Sequence, residues 1–182
     1  DGNSLRKAFL QAPLKFSRMT SGYTMRRFHP VQKRWKAHLG TDYAAPTGTP
    51  IMAVGDGIVT EARYSKFNGN YVKIKHNSTY TTQYLHMSRI AKGIKKGRHV
   101  NQGEVIGYVG STGLATGPHL CFRFWDNGVQ VDPFKIKAPP TTPVSPSNMS
   151  DFKQLADIGR SELNQIHLSV SDSTAISKDK VD

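Results

Sequence analysis

The chain of 182 residues is poor in cysteine, in acidic side chains and in long apolar runs. Its single cysteine, Cys121, excludes a disulfide within the chain and a metal site built from several cysteines. No apolar run approaches the roughly 20 residues that a membrane-spanning helix needs, so we expect no such helix. No signal peptide is evident and the chain begins at Asp1 without Met, so we expect an excised or mature fragment.

The shortage of acidic residues leaves the chain strongly basic. Lys and Arg number 25 against 13 Asp and Glu, a net charge of +12. Residues 1–137 hold 21 basic and 7 acidic residues, whereas residues 138–182 hold 4 basic and 6 acidic residues, so the net charges are +14 and −2. Such a charge attracts polyanions, namely nucleic acid, anionic lipid or an acidic cell-wall polymer. No zinc-finger, homeodomain or RNA-recognition signature accompanies it, so we expect no specific nucleic-acid partner.

Short runs of strand-forming residues alternate with turn residues from Gly48 to Asp132. No long amphipathic helix lies between these runs, and Asn127-Gly128 supplies a hairpin turn after the last of them. The pattern predicts an all-β fold, an antiparallel sheet or sandwich. The predicted strands are residues 50–54, 58–62, 71–75, 80–86, 104–109 and 119–125.

The C-terminal part has a different composition. Residues 138–147 are rich in proline and are predicted to form a linker. Apolar residues then recur at helical spacing from Asn148 to His167, which predicts a short C-terminal helix. We therefore divide the chain into a β domain over 1–137, the linker, and a helix with a flexible tail over 148–182.

Three short segments carry the residues suited to chemistry. His38 and Asp42 lie four positions apart beside a glycine and can converge on one cation from a turn. His86 ends a predicted strand. Strand alternation places His119 and Cys121 on one face and apolar side chains on the other, so this pair should face a cleft or solvent.

Taken together and in this order, these segments resemble the lysostaphin/LytM-type zinc metallopeptidases. The motifs are His38-x-x-x-Asp42, Tyr84-Leu-His86, and Gly113 running into Thr116-Gly-Pro-His119. The segment Arg26-Arg-Phe-His-Pro30 is similar to the entry segment of Gram-negative members. The resemblance covers roughly residues 10 to 134.

The resemblance implies a curled antiparallel sheet with a groove, one Zn²⁺ ion, and hydrolysis of peptide bonds in bacterial peptidoglycan. It makes His38 and Asp42 zinc ligands, and it makes His86 and His119 catalytic residues. One of these two histidines would be the general base and the other would stabilise the oxyanion, and the sequence does not say which. The family has a second His where this chain has Cys121, and we expect Cys121 to be the third ligand, as a thiolate.

The first functional hypothesis is therefore a zinc endopeptidase that cuts cross-links between peptidoglycan stem peptides at D-Ala–meso-diaminopimelate bonds. Its expected location is the periplasmic side of the cell envelope, near anionic envelope polymer or lipid. The alternative is a degenerate domain of the same family that binds and activates another cell-wall hydrolase, with Cys121 a buried thiol in a dead site. A nucleic-acid-binding β domain is a third hypothesis, and only the charge supports it.

Overall fold

The computed structural model describes residues 8–15, 18–29, 33–136 and 144–175. Within these residues there are twelve strands, two 3₁₀ turns and one α-helix. The strands are β1 (Arg18–Ser21), β2 (Thr24–His29), β3 (Arg34–His38), β4 (Thr41–Ala44), β5 (Pro50–Met52), β6 (Gly57–Ser65), β7 (Gly69–Lys75), β8 (Tyr80–Ile90), β9 (His99–Val100), β10 (Val105–Val109), β11 (His119–Asp126) and β12 (Val129–Val131). The 3₁₀ turns are Pro133–Lys135 and Pro146–Asn148, and the helix is α1 (Met149–Ala175).

One antiparallel sheet organises the molecule. Its main path runs in the order β1-β4-β11-β8-β7-β6-β9, while β10 joins β5 to β8 and β12 pairs with β11. β2 and β3 pair with each other in a separate ribbon. The prediction of an all-β fold with a C-terminal helix is confirmed.

Side-chain alternation along the central strands divides the sheet into an apolar face and a second, more polar face. The main core contains Val72 and Ile74 of β7, Tyr84 of β8, and Leu120 and Phe122 of β11, all buried. Burial of each such side chain contributes about 1.5–3 kcal/mol. The intervening positions of the same strands point to the opposite face.

The opposite face carries its own small buried cluster, formed by Tyr71, Leu85 and Cys121. Cys121 pairs with Asp42 of β4 on one side and with Leu85 of β8 on the other. The prediction that Cys121 lies opposite the apolar positions of its strand agrees with this arrangement. This second face is the one that carries the site.

The helix α1 belongs to a different compact unit from the strands. It begins one residue after the predicted start and continues eight residues beyond His167, where the prediction ended it. Most of the predicted linker, residues 138–143, and the end of the predicted tail, residues 176–182, lie outside the described residues. None of the described helices is both long and apolar enough to span a membrane.

Candidate metal centre

A tight turn after β3 brings His38 and Asp42 to the edge of β11. Gly40 lies in this turn, and a Cβ there would meet Phe122 O at 3.0 Å and Cys121 Sγ at 3.1 Å. Such contacts are closer than side chains ordinarily make, so a glycine allows the turn to approach the strand. The pairing of Asp42 with Cys121 then fixes the third side chain beside the other two.

The three side chains form one compact cluster. His38 Nε2 lies 3.1 Å from Asp42 Oδ1 and 3.8 Å from Cys121 Sγ. One ligand atom from each residue lies within 4.8 Å of the other two. Imidazole nitrogen, carboxylate oxygen and thiolate sulfur are all established zinc ligands.

The protonation pattern of this cluster suits a cation. His38 Nδ1 lies 3.1 Å from Gly22 O, and because a carbonyl can only accept, Nδ1 carries the ring proton. In the neutral ring Nε2 therefore presents a lone pair toward Asp42 Oδ1. Oδ1 is buried and has no hydrogen-bond partner among the described residues. Two facing lone pairs repel each other unless a proton or a metal ion lies between them, so these residues can hold a bound metal in place of the proton.

Other contacts orient the ligands from outside the cluster. Arg27 Nη1 donates to Asp42 Oδ2 at 3.0 Å and to Ser21 Oγ at 2.6 Å. Burial alone would raise the pKa of Asp42, but a His38 ring that is protonated at both nitrogens donates to Oδ1, and this contact together with the Arg27 guanidinium lowers that pKa to about 2. Arg27 occupies one carboxylate oxygen, which leaves Oδ1 available to a cation.

Cys121 is a thiol in the absence of a metal. Its side chain is buried, and burial together with the nearby charge of Asp42 raises the pKa of Cys121 to about 12. Only a strong local positive charge would ionise it near neutral pH. A coordinated metal ion supplies such a charge, because a coordinating thiol loses its proton.

His86 and His119 lie side by side, with ring centroids 4.8 Å apart. His86 Nδ1 donates to Thr112 O at 2.8 Å, and His119 Nδ1 donates to Gly117 O at 2.8 Å. Each neutral ring therefore keeps Nε2 as a proton acceptor. Burial lowers the pKa of His86 to about 4, so His86 is neutral at ordinary pH.

The loop that holds His86 depends on two glycines. His86 has a φ of +62°, an uncommon conformation for a residue with a side chain. Gly69 and Gly113 also have positive φ, and a Cβ on Gly113 would overlap Gly69 N. A Cβ on Gly69 would overlap Thr112. This close packing of backbones presents the Thr112 carbonyl to His86.

One groove of about 780 Å³ collects all five residues predicted for the site. Its lining also includes Arg27, Arg123 and Gly117, together with the apolar side chains Phe67 and Leu114. The structure thus brings the three predicted ligands and the two predicted catalytic histidines to one place.

Two further described histidines, His76 and His99, do not line the groove. His76 lies away from the groove and is hydrogen-bonded to Asp56 O at 2.7 Å and to Thr82 Oγ1 at 2.8 Å. His99 is exposed on β9. The side chains of His29 and His167 lie outside the described residues.

Sequence reasoning missed the residues that support the site. In the sequence Arg27 stands out only as part of the Arg26–Pro30 segment, and its pairing with Asp42 spans 15 residues. Ser21 and the backbone carbonyls of Gly22 and Thr112 carry no sequence signal. For Arg27, the only available signal is the resemblance of its segment to the corresponding segment of the family.

Comparison with known proteins agrees with this geometry. Residues 36–133 match Peptidase family M23, so the chain belongs to this family of metallopeptidases. It is 50% identical over 139 residues to the peptidoglycan DD-endopeptidase ShyC of Vibrio cholerae, a match that covers 76% of this chain and 32% of that protein. The chain spans about a third of the length of such curated relatives.

Two solved structures are similar in fold. A zinc-containing peptidase from Vibrio cholerae has 42% identity and a TM-score of 0.67, over 74% of this chain and 42% of that one. The catalytic domain of a prophage-encoded M23 protein from Enterococcus faecalis has 36% identity and a TM-score of 0.60, over 70% of this chain and 98% of that one. Zinc is therefore the metal expected in this family and at this cluster.

Proposed function

We propose that this chain is the catalytic part of a zinc endopeptidase that hydrolyses peptide cross-links of bacterial peptidoglycan. The single observation that carries the proposal is the grouping of His38, Asp42 and Cys121 beside His86 and His119 in one groove. Relatives described as peptidoglycan DD-endopeptidases support the substrate class. The bond that we propose is D-Ala–meso-diaminopimelate, and the proposed location is the periplasm, where that substrate lies.

In this proposal His38, Asp42 and Cys121 hold the zinc ion. Zinc, when bound, supplies a Lewis acid for the scissile carbonyl and makes water acidic enough to act as the nucleophile near neutral pH. Arg27 keeps Asp42 ionised and occupies its other oxygen. The set leaves room for a water, as three protein ligands do in other catalytic zinc sites.

His86 and His119 carry the proton transfers and the oxyanion contact. Both present Nε2 as a lone pair when neutral, since a backbone carbonyl accepts from each Nδ1. One of them accepts the proton of the attacking water and later gives a proton to the leaving amine. The other, when it carries a proton on Nε2, donates to the oxyanion of the tetrahedral carbon.

The degenerate-domain alternative is not favoured. Such a domain would have lost donor atoms, whereas all three positions here still offer one. In a domain without activity, nothing would favour keeping His86 in its uncommon positive-φ conformation with its ring hydrogen-bonded to Thr112 O.

The test combines metal content with digestion of purified peptidoglycan. Wild-type protein should contain about one zinc per chain and release peptide fragments from cross-linked material. His86→Ala and His119→Ala should each keep zinc but lose most hydrolysis, by roughly 10²- to 10⁴-fold. His99→Ala, at an exposed position on β9, is the matched control and should keep both properties.

Two outcomes would contradict the proposal. Wild-type protein that carries zinc and releases no fragments would favour a binding domain. Loss of zinc from His86→Ala or His119→Ala would show that the assignment of ligands is wrong.

A further inference from the structure

The sheet face that carries the metal cluster continues into a second, strongly basic hollow. Arg123 of β11 pairs with Gln83 of β8, which pairs with Lys73 of β7, which pairs with Glu61 of β6. These residues occupy one row across the sheet, beside the row that contains Cys121. Since neighbouring strands lie about 4.8 Å apart, β7 is about 10 Å from β11.

A buried apolar strip connects the two regions. Tyr71, Leu85 and Cys121 pack together on this face. The Tyr71 hydroxyl donates to Glu61 Oε2 at 2.5 Å, and the Arg63 guanidinium lies 5.5 Å from the centre of the Tyr71 ring. The strip therefore runs from the metal cluster to the first residues of the hollow without leaving the sheet face.

The hollow has a volume of about 760 Å³. Its charged lining, within the described residues, consists of Glu61, Arg63, Lys73, Lys75 and Lys96, which we call the cationic hollow. One acid therefore faces four cations. Thr60 and Thr81 add hydroxyl groups to the same lining.

The acid in the hollow is already paired. Arg63 donates to Glu61 Oε2 from Nε at 3.0 Å and from Nη2 at 2.7 Å. The hydrogen bond from Tyr71, followed by that from Arg63, lowers the pKa of Glu61. Lys73, Lys75 and Lys96 make no salt bridge among the described residues. Three positive charges are thus left facing one concave surface.

The spacing of these ammonium groups suits an extended peptide. Lys73 and Lys75 point to the same side of β7, about 7 Å apart along the strand, which is also the spacing of alternate residues in an extended chain. Lys73 Nζ lies 4.9 Å from the centre of the Trp125 ring, a contact that steadies the lysine over the sheet. Separate ammonium groups match carboxylates spread along a peptide better than they match one compact phosphate.

We propose that the cationic hollow binds the free carboxylates of a peptidoglycan stem peptide while the scissile bond of that cross-link lies at the metal cluster. The inference rests on the proposed function, because it takes the same substrate. It adds an anchoring site outside the groove, on β6 and β7. The ligand class is an extended peptide with several carboxylates.

The test measures binding of the 182-residue chain to purified sacculi, in a His119→Ala background that prevents cutting. Lys73→Gln/Lys75→Gln/Lys96→Gln should weaken binding by about tenfold at low salt. The matched control is Lys15→Gln/Lys92→Gln/Lys135→Gln, which removes the same charge at exposed positions outside the hollow. This control variant should change binding by less than about twofold if the position of the lysines, and not the total charge, determines the affinity for sacculi.

A second arm changes the ligand. Sacculi whose stem-peptide carboxylates have been amidated should bind wild type about as weakly as untreated sacculi bind the hollow variant. Equal losses in the two triple variants, or undiminished binding to amidated sacculi, would overturn the inference. Tighter binding of a single-stranded oligonucleotide, dependent on the same lysines, would also overturn it and favour nucleic acid. Thermal unfolding confirms that each variant is folded.

Failure of the endopeptidase proposal would look different. Wild-type protein would then release no peptide from sacculi, whereas the binding difference between the two triple variants would still be measurable. If the anchoring inference alone is wrong, the two triple variants bind sacculi equally well and wild-type protein still releases peptide from them.

Discussion

At the scale of single residues, Cys121 would give the proposed zinc site its particular electrostatics. Two histidines and one carboxylate leave a zinc ion with a net charge of +1, whereas His38, Asp42 and a Cys121 thiolate leave it neutral. A less positive ion lowers the pKa of a bound water less. The Cys121 thiol stays deprotonated only while the ion is bound. The burial that raises the pKa of Cys121 to about 12 therefore opposes zinc binding and makes it depend on pH.

We predict that Cys121→Ser weakens zinc binding by about tenfold or more, since even contacts outside the ligand set change metal affinity by that amount. Cys121→His, which restores the residue that the family resemblance implies, should keep zinc and shift the rate profile to lower pH than wild type. Competition with a chelator and hydrolysis at matched zinc content measure the two effects. If Cys121→Ser binds zinc as tightly as wild type, sulfur is not a ligand.

His76 makes a separate contribution, to stability. Burial lowers the pKa of His76 below its ordinary 6.5, although the Asp56 carbonyl partly opposes this. The unfolded chain then binds the proton more readily, so stability is full above pH 6.5 and is lost as the pH falls toward the folded pKa. The hydrogen bonds to Asp56 and Thr82 hold the neutral ring.

We predict that His76→Gln lowers stability at pH 7.5 by roughly 1–2 kcal/mol, because a buried hydrogen bond is lost. The variant should also lose less of its stability than wild type does between pH 7.5 and 5.5. Chemical denaturation at both pH values measures this, and other titrating groups cancel in the comparison. Parallel losses in the two proteins would show that His76 is not the titrating group.

At the scale of elements, the sequence pattern predicted the strands that have one apolar face and one polar face. Residues 71–75 and 119–125 place apolar side chains at alternate positions, and each lies within an observed strand, β7 or β11. The pattern fails for β2 and β3, because basic and exposed apolar side chains such as Met25, Phe28 and Trp35 are mixed along them and neither strand has a buried apolar face to signal it. These missed strands carry Arg27 and His38, so sequence pattern alone could not assemble the site.

The grouping of His38, Asp42 and Cys121 could be predicted because short motifs contain these residues and the family resemblance orders those motifs. The supporting contacts could not, because they use backbone carbonyls and pairs far apart in the chain. Thr112 O and Gly22 O fix the tautomers of His86 and His38, and any residue type offers a carbonyl. Tertiary structure, not composition, selects which carbonyl is used.

The loop that contains Thr112 and Gly117 provides a prediction at this scale. Gly113→Val should displace the loop, since its Cβ would overlap Gly69 N and its φ is +75°. Hydrolysis should fall by roughly 10- to 100-fold with zinc retained, because His86 loses its orientation. Gly117→Ala is the control in the same loop, where a Cβ meets nothing within 4 Å. Equal activity of both variants would show that the loop does not position His86.

At the scale of the whole molecule, charge and core are both concentrated before residue 137. Residues 1–137 carry a net charge of +14 and residues 138–182 a net charge of −2. Every buried residue of the main core lies between Leu14 and Phe124, and the partly buried residues packed on it end at Ile136. The β domain therefore holds its own core, the cluster of candidate metal ligands and the positive charge of the chain.

We predict that truncation after Lys137 leaves a folded domain that binds zinc, because no described residue of the main core lies beyond Ile136. Its circular dichroism should keep the β signal and lose the helical one, and its zinc content should equal that of the full chain. Its net charge should rise from +12 to +14, so binding to anionic polymer at low salt should be preserved or strengthened. Insoluble or unfolded protein after truncation would show that residues 138–182 stabilise the β domain, and the predicted boundary at 137 would then be wrong.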